Sequence, residues 1–195
     1  NHLWKESGEE KQDLKSKFNL PTDKLIVSSF QRDTEGSDLK TPKLEKGPDI
    51  FCKAISELSK KVDVHVLLNG WRRQFVMNEL DKISVPYTYY ELPQIEDVVR
   101  MYLATDLYIV GSRVEGGPQS LLECAITRTP ILTTDVGMAQ DIVSQKCITS
   151  DFNSILNLVE TAASEVEVNY NNVQEFLIEK HVKKYDELFK KLLEV

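Results

Sequence analysis

The sequence predicts an α/β fold in which a doubly wound parallel sheet is covered by helices on both faces. Short apolar runs alternate with longer stretches in which apolar side chains recur every three or four positions, a pattern typical of βαβ units. Strands buried on both faces are expected to be almost wholly apolar, as these runs are. The chain of 195 residues can bury a sizeable core and shows no internal boundary, so residues 1–195 are predicted to be one domain.

The elements of the first half are separated by proline, glycine and polar residues. Residues 1–20 are predicted to be a linker and a first helix that ends at Pro21. The apolar residues 25–30 form the first strand, and the polar residues 31–45 form a long loop of the kind that is often functional. A helix begins at Gly47-Pro48. The following elements are a strand at 62–68, a helix at 71–83 and a strand at 87–91.

The second half continues the alternation. Residues 95–102 mark a helix, 107–110 form the fourth strand, and a glycine-rich turn leads to a helix that begins near Ser120. The remaining elements are a fifth strand at 130–134, a short strand near 147–149, a helix at 153–165 and a last helix at 171–193. Two lysine pairs in that last helix are expected to lie on its solvated face.

Composition and charge exclude several functional classes. The chain has 24 Lys and Arg against 31 Asp and Glu, a net charge of −7, which argues against a nucleic-acid module. No apolar run approaches the roughly 18 residues that span a bilayer. The histidines lack the spacing of metal ligands, and the three cysteines without a CxxC motif fit a reducing compartment and core packing. With neither a signal peptide nor an initiating Met, we expect a cytoplasmic piece of a longer protein, or one peripheral at a membrane.

Residues 115–123, which follow the fourth strand, are the strongest candidate for a binding site. Ligands of open parallel sheets bind at the carboxyl ends of the strands. Glycine allows close approach of the backbone to a ligand, and a helix that begins near Ser120 offers N–H groups and a positive dipole end to an anion. Pro118 donates no N–H, so the donors would be those of Gly116, Gly117, Gln119, Ser120 and Leu121.

The two glutamates of this segment suit a sugar. A carboxylate can accept hydrogen bonds from neighbouring hydroxyls through its two oxygens, so Glu115 and Glu123 could hold hydroxyls on either side of a phosphate. The alternative is a plain strand-turn-helix in which a glutamate stabilises the helix N-terminus.

Arg32 and Lys46 form the second part of the candidate site. Arg32 follows the first strand and Lys46 precedes a helix, so both could reach an anion at the carboxyl edge of the sheet. Arg binds phosphate through two parallel hydrogen bonds and Lys acts as a point charge. The alternative is two ordinary surface cations.

Other polar and aromatic residues are assigned structural roles. Arg72-Arg73 is expected to be a solvated pair, His65 a packed core histidine, and Trp71 part of core or loop packing. No serine at these strand ends has a nearby His base, and neither a Walker A motif nor GxGxxG follows a strand.

Three segments in chain order carry a resemblance to a known family. They are Arg32 with Lys46-Gly47, then Glu115-Gly116-Gly117-Pro118 with Glu123, then residues 129–137, Thr-Pro-Ile-Leu-Thr-Thr-Asp-Val-Gly. This order resembles the C-terminal, nucleotide-sugar-binding domain of GT-B-fold glycosyltransferases of family 4, the glycosyl transferases group 1. The family domain is Rossmann-like. The chain departs from the family pattern at Gln31, where the family usually has Gly.

The resemblance implies a role for each candidate residue. Arg32 and Lys46 would bind the donor diphosphate and stabilise the leaving nucleotide, and Glu115 would hold hydroxyls of the transferred sugar; these three would carry catalysis. Glu123 would hold the ribose and Leu92 would lie near the base. The backbone contacts to sugar and phosphate would come from Gly116, Gly117, Pro118, Gln119, Ser120 and Leu121.

The resemblance also implies partners. Such enzymes transfer a sugar to a glycan, lipid or protein acceptor with retention of anomeric configuration and without a catalytic metal or other cofactor. The acceptor site would lie on a missing N-terminal domain, towards which the helix at 171–194 would cross, leaving some of its apolar residues exposed.

Other readings of the same pattern stay open. The chain could be a non-catalytic nucleotide-sugar-binding module, or belong to a sugar-nucleotide epimerase or a phosphorylase. A receiver-like signalling domain shares the βαβ pattern, but it needs clustered acidic residues where this chain has Gln31-Arg32.

Overall fold

A computed structural model describes residues 8–193 and shows a five-stranded parallel sheet in the order β3-β2-β1-β4-β5. The strands are β1 (Leu25–Ser29), β2 (Val64–Asn69), β3 (Tyr87–Tyr90), β4 (Leu107–Val110) and β5 (Ile131–Thr133). The chain winds outward from β1 to β3 and then returns to β4 on the other side of β1. The doubly wound, Rossmann-like α/β fold predicted from the sequence is therefore confirmed.

Helices cover both faces of this sheet. They are α1 (Lys11–Lys17), α2 (Pro48–Ser59), α3 (Gln74–Lys82), α4 (Ile95–Ala104), α5 (Gln119–Ile126), α6 (Ala139–Ile142), α7 (Ile155–Ser164), α8 (Val166–Val173) and α9 (Ile178–Leu193). Successive strand residues point to opposite faces. Ile26 thus packs with Leu14 and Met101 of α1 and α4, whereas Val27 packs with Phe51 and Leu58 of α2.

Three predicted elements differ in the structure. The helix predicted at 71–83 begins only at Gln74, because Arg72 has a left-handed φ of 60°. The short strand near 147–149 is a 3₁₀ turn with one bridge, between Ile148 and Thr133. The part of the predicted first segment that precedes residue 8 lies outside the described residues.

The single helix predicted at 171–193 is also wrong. Helix α8 ends at Val173, a 3₁₀ turn follows, and Leu177 is extended with a ψ of 143° before α9 begins. Val173 is buried and Phe176 packs against the core, so the turn ties the chain to the domain before α9 leaves it. Its apolar side chains are largely exposed: Ile178, Val182, Tyr185, Leu188, Phe189, Leu192 and Leu193. The lysine pairs of α9 are exposed as well, as expected.

The cysteines have the core-packing role expected of them, whereas His65, expected to be a packed core histidine, is only half-buried. All three cysteines are free and buried, and burial raises the pKa of Cys52 to about 12 and of Cys147 to about 11. His65 is half-buried and its ring nitrogen hydrogen-bonds to Thr88 Oγ1 at 2.8 Å. Within residues 8–193 no helix is long and apolar enough to cross a membrane, and no three metal-binding side chains cluster.

Candidate functional site

The candidate site lies where the strand order reverses, at the carboxyl ends of β1 and β4. In open α/β sheets this switch point is where ligands bind. Gly47 precedes α2 with a φ of 59°, and a Cβ placed on it would lie 1.7 Å from the carbonyl oxygen of Gly111, just after β4. Only glycine fits both the left-handed conformation and this close approach. The contact holds Lys46 against the end of β4.

Lys46 and Glu115 form an ion pair at this point. The Lys46 Nζ lies 2.6 Å from Glu115 Oε1, and the Ser112 hydroxyl donates to the same oxygen at 3.0 Å. The Lys46 side chain is 29% exposed and that of Glu115 is 11% exposed, so the pair is partly screened from solvent but reachable. The structure thus brings together two residues that the sequence singled out separately.

Gln31 joins the end of β1 to this pair. Its Nε2 donates to the carbonyl oxygen of Lys46 at 2.7 Å, and its Oε1 lies 3.4 Å from Ser112 Oγ, whose one proton has its shorter contact with Glu115. A glycine at this position would lack the hydrogen bond to Lys46. Gln31 and Ser112 are thus two residues of the candidate site that were not predicted from the sequence.

The glycine-rich loop lies between the ends of β4 and β5. Gly116 and Gly117 are exposed, and a Cβ on Gly137, which has a φ of 54°, would lie 2.8 Å from the Gly116 carbonyl oxygen. Helix α5 begins at Gln119, and Pro118 before it makes no side-chain capping bond. The first turn can therefore present the N–H groups of Gln119 and Ser120 to an anion.

Leu121 does not supply one of the free N–H donors predicted for this segment. The backbone N–H of Leu121 donates to the Pro118 carbonyl oxygen at 3.1 Å, and the Leu121 side chain is buried. Leu121 thus contributes to packing, and the donors expected of residues 116–121 reduce to those before it.

Arg32 is placed at the same edge but is not bonded to Lys46 or Glu115. Its Nε donates to the Thr34 carbonyl oxygen at 2.8 Å, and its guanidinium carbon lies 5.6 Å from the centre of the Trp71 ring. Trp71, which was expected to be part of core or loop packing, lies outside the core with 49% of its surface exposed, and its ring contacts Arg32 at the start of the long loop. The guanidinium carbon of Arg72 lies 4.4 Å from the centre of the same ring, so two guanidinium groups contact one exposed aromatic ring.

Glu123 lies on the inner side of α5. Its Oε2 accepts a hydrogen bond of 2.6 Å from the hydroxyl of Tyr102, a fully buried residue of α4. Burial raises the pKa of Glu123, and the hydrogen bond from Tyr102 opposes this shift. No hydrogen bond or ion pair in the described part of the chain joins Glu123 to Glu115.

Leu92 lies at the end of the outer strand β3. It follows β3 with a left-handed φ of 50° and is 69% exposed. Because β3 is two strands away from β1, Leu92 lies roughly 10 Å across the sheet from the end of β1. That distance suits one end of an elongated ligand whose other end lies at the switch point.

A buried ion pair that was not predicted from the sequence lies beside Arg32. Arg73 was expected to be solvated, but it is fully buried, and its Nε lies 2.8 Å from Asp33 Oδ2. A charged residue enters the interior only when it is paired and hydrogen-bonded. The signal in the sequence was the unfavourable placement of an Arg at a helix N-terminus, which indicates that a contact compensates for it.

Comparison with known proteins identifies the family. Residues 39–160 match the model of the family "Glycosyl transferases group 1". The O-antigen biosynthesis glycosyltransferase WclY of Escherichia coli is 20% identical over 150 residues, which cover 77% of this chain and 40% of that protein.

Solved structures share the fold. A glycosyltransferase from Rickettsia africae ESF-5 superposes with a TM-score of 0.76 at 16% identity, over 98% of this chain and 55% of that one. Anabaena Alr3699/HepE, solved in complex with UDP-glucose, gives a TM-score of 0.75 at 15% identity, over 97% of this chain and 55% of that one. The chain spans about half the length of these relatives. The family model matches more than half of the chain, and the chain therefore belongs to the glycosyl transferases group 1.

Proposed function

We propose that this chain is the donor-binding domain of a glycosyltransferase that moves a sugar from a nucleoside diphosphate sugar to an acceptor. The observation that carries this proposal is the Lys46–Glu115 pair beside the open first turn of α5 at the switch point. It places a cation, a helix N-terminus and a carboxylate together, which is what a sugar diphosphate needs. The UDP-glucose complex of the structural relative supports the same class of ligand.

In this proposal the chain acts mainly by stabilising the leaving group. The bond from the anomeric carbon of the sugar to the β-phosphate oxygen breaks, and negative charge grows on the diphosphate. The same carbon forms a bond to an acceptor hydroxyl oxygen, and the hydroxyl proton passes to the released diphosphate. Arg32, Lys46 and the first turn of α5 would meet that charge, and preorganised groups of this kind act without reorganising during the reaction. Glu115 would hold hydroxyls of the transferred sugar and Glu123 those of the ribose. Leu92, near the base, would complete the site.

We propose further that the transfer retains anomeric configuration. We also propose that it needs no metal ion, because the fixed cations supply the positive charge. Since the chain spans about half the length of its relatives, the acceptor site would lie on a preceding domain of a cytoplasmic or membrane-peripheral enzyme. The exposed apolar side chains of α9 would pack against that domain.

Calorimetric titration with UDP-, GDP- and ADP-sugars tests this proposal. We expect one of these donors to bind and Lys46→Ala to weaken it about 10- to 100-fold, as loss of a charge-assisted contact does. The matched control is Lys43→Ala, because Lys43 is a cation of the same loop whose ammonium pairs with Glu45 at 3.1 Å instead of Glu115. Absence of binding to every donor, or equal losses in the two variants, would overturn the proposal.

The non-catalytic alternative is tested on the full-length protein. Donor binding without transfer to any acceptor would favour a binding module. Product analysis by NMR separates transfer, with or without retention, from epimerisation, and an unchanged rate in the presence of a chelator would support the absence of a metal.

A further inference from the structure

We propose that the buried pair Asp33–Arg73 positions the Arg32 guanidinium for the donor diphosphate. This inference rests on the proposed function. The chain of contacts runs from Arg73 to Asp33, from Asp33 to Thr34 and from Thr34 to Arg32. Asp33 and Arg73 would thus be positioning residues of the site, which act through Arg32 and do not touch the donor.

Arg73 is fixed to the carboxyl ends of two adjacent strands. Its Nη1 donates to the carbonyl oxygens of Ser29 in β1 and, at 2.8 Å, of Asn69 in β2, and its Nη2 lies 3.3 Å from the hydroxyl of Ser29. Its Nε is used by Asp33. With partners on all three nitrogens and no exposed surface, the side chain has a single position set by the sheet itself.

Asp33 connects the fixed side chain of Arg73 to the start of the long loop by hydrogen bonds. Its Oδ2 accepts from Arg73, while its Oδ1 accepts from the Thr34 hydroxyl at 2.7 Å and from the backbone N–H of Phe75 at 3.2 Å. The backbone of Asp33 also donates to the Arg72 carbonyl oxygen at 3.1 Å and accepts from the N–H of Lys43 at 2.8 Å. The loop is therefore clamped to the sheet at the residue directly after Arg32.

Thr34 makes the final connection. It is fully buried, and its carbonyl oxygen accepts the 2.8 Å hydrogen bond from Arg32 Nε. Within residues 8–193, no hydrogen bond or ion pair uses the two terminal nitrogens of Arg32. The Nε bond and the Trp71 ring together orient the guanidinium, and the terminal nitrogens are those that bind phosphate oxygens in pairs.

A purely stabilising role does not account for this arrangement. Replacing a buried ion pair by apolar side chains of similar volume is often neutral or stabilising, so such a pair is weak support for stability. A positioning role can have a larger effect, because displacing a reacting or binding group by about 1 Å can lower the rate about 100-fold. Arg32 lies at the start of a long polar loop, so the hydrogen bonds of Asp33 can fix the position of its side chain.

A double-mutant cycle with Arg32→Ala tests the inference. The probe is the nucleoside diphosphate whose sugar binds best in the donor panel (UDP, GDP or ADP), with its dissociation constant measured by calorimetry. We expect Asp33→Asn and Thr34→Val each to weaken binding about 5- to 10-fold in the parent and less than about 2-fold in the Arg32→Ala background, because coupled residues are not additive. Should Asp33→Asn fail to fold, Thr34→Val carries the test, since it leaves the Asp33–Arg73 pair in place.

Thr41→Val is the matched control. Its hydroxyl donates to Asp38 Oδ2 at 2.7 Å in the same loop, on the exposed side and outside the chain of contacts. We expect no change in affinity for this variant. Equal losses in both backgrounds, or no loss in the parent, would overturn the inference while leaving the proposed function intact. A parent chain that binds none of the three nucleoside diphosphates would overturn both.

Discussion

Gly47 is the position at which one added methyl group should do the most damage to the candidate site. Its φ of 59° is left-handed, which costs a residue with a Cβ roughly 1–2 kcal/mol. The Cβ would also lie 1.7 Å from the Gly111 carbonyl oxygen and 2.4 Å from its carbonyl carbon, both backbone atoms that cannot rotate away. Forcing an atom into filled space typically costs ~1–3 kcal/mol. We therefore expect Gly47→Ala to lower the free energy of unfolding by about 3 kcal/mol.

Gly36→Ala separates the two parts of this cost. Gly36 has nearly the same conformation, with a φ of 62°, but the nearest atom to its added Cβ is Asp38 Oδ1 at 3.5 Å, an ordinary contact. This control should therefore cost only the conformational part, about 1 kcal/mol. With a urea dependence of about 2 kcal/mol per molar, the midpoints of the two variants should differ by about 1 M.

Urea denaturation followed by circular dichroism, together with donor titration, measures both effects. The Gly47 substitution should also weaken donor binding, because the backbone must move where Lys46 faces Glu115, whereas Gly36→Ala should not. Equal midpoints for the two variants would refute the steric argument. Unchanged donor affinity in Gly47→Ala would refute the claim that this close approach positions Lys46.

Four further predictions follow from burial and charge. Burial raises the pKa of Glu123 in the folded chain, so its contribution to stability is present at low pH and lost as the pH rises through that pKa; Glu123→Gln should remove this component of the stability curve. Phe189→Ser should change the free energy of unfolding by less than about 0.5 kcal/mol, against about 3–5 kcal/mol for the buried Phe51→Ala, as measured by urea titration. The three buried thiols should react with Ellman's reagent only after unfolding, because their pKa values are raised. Glu115→Gln should bind the nucleoside diphosphate about 3-fold more tightly than the parent, because Lys46 loses its competing partner. The additional affinity that the sugar contributes should fall, because the carboxylate proposed to hold its hydroxyls is gone.

The fold could be predicted from the sequence because its signals are local. Strand β4 lies where the apolar run 107–110 was expected, and each helix of the first four βα units was found within a few residues. The break between α8 and α9 could not be predicted, because the apolar spacing runs through it without a proline or glycine near Leu177. Only the packing of Val173 and Phe176 against the core decides where the chain turns.

Some residues of the candidate site could be predicted from the sequence and others could not. Lys46 and Glu115 could be selected because topology alone brings strand ends to one edge, and their ion pair follows from that placement. The burial of Arg73 could not be selected, because it depends on a carboxylate 40 positions earlier that nothing local marks as a partner. The sequence shows that Gln31 departs from the family pattern, but its hydrogen bond to the backbone of Lys46 depends on the folded loop.

On the proposed function, the Lys46–Glu115 pair would let an acidic chain keep an anion site without an unpaired positive charge. The ammonium and the carboxylate neutralise each other at 2.6 Å, so neither charge is left unpaired in a partly buried place. On the proposed function, a diphosphate attracts Lys46 and releases the carboxylate. Glu115 then keeps the 3.0 Å hydrogen bond from Ser112 and gains room for sugar hydroxyls. Binding of the phosphate and binding of the sugar would therefore favour each other, and a nucleotide without a sugar would leave Glu115 with a lost partner and no replacement.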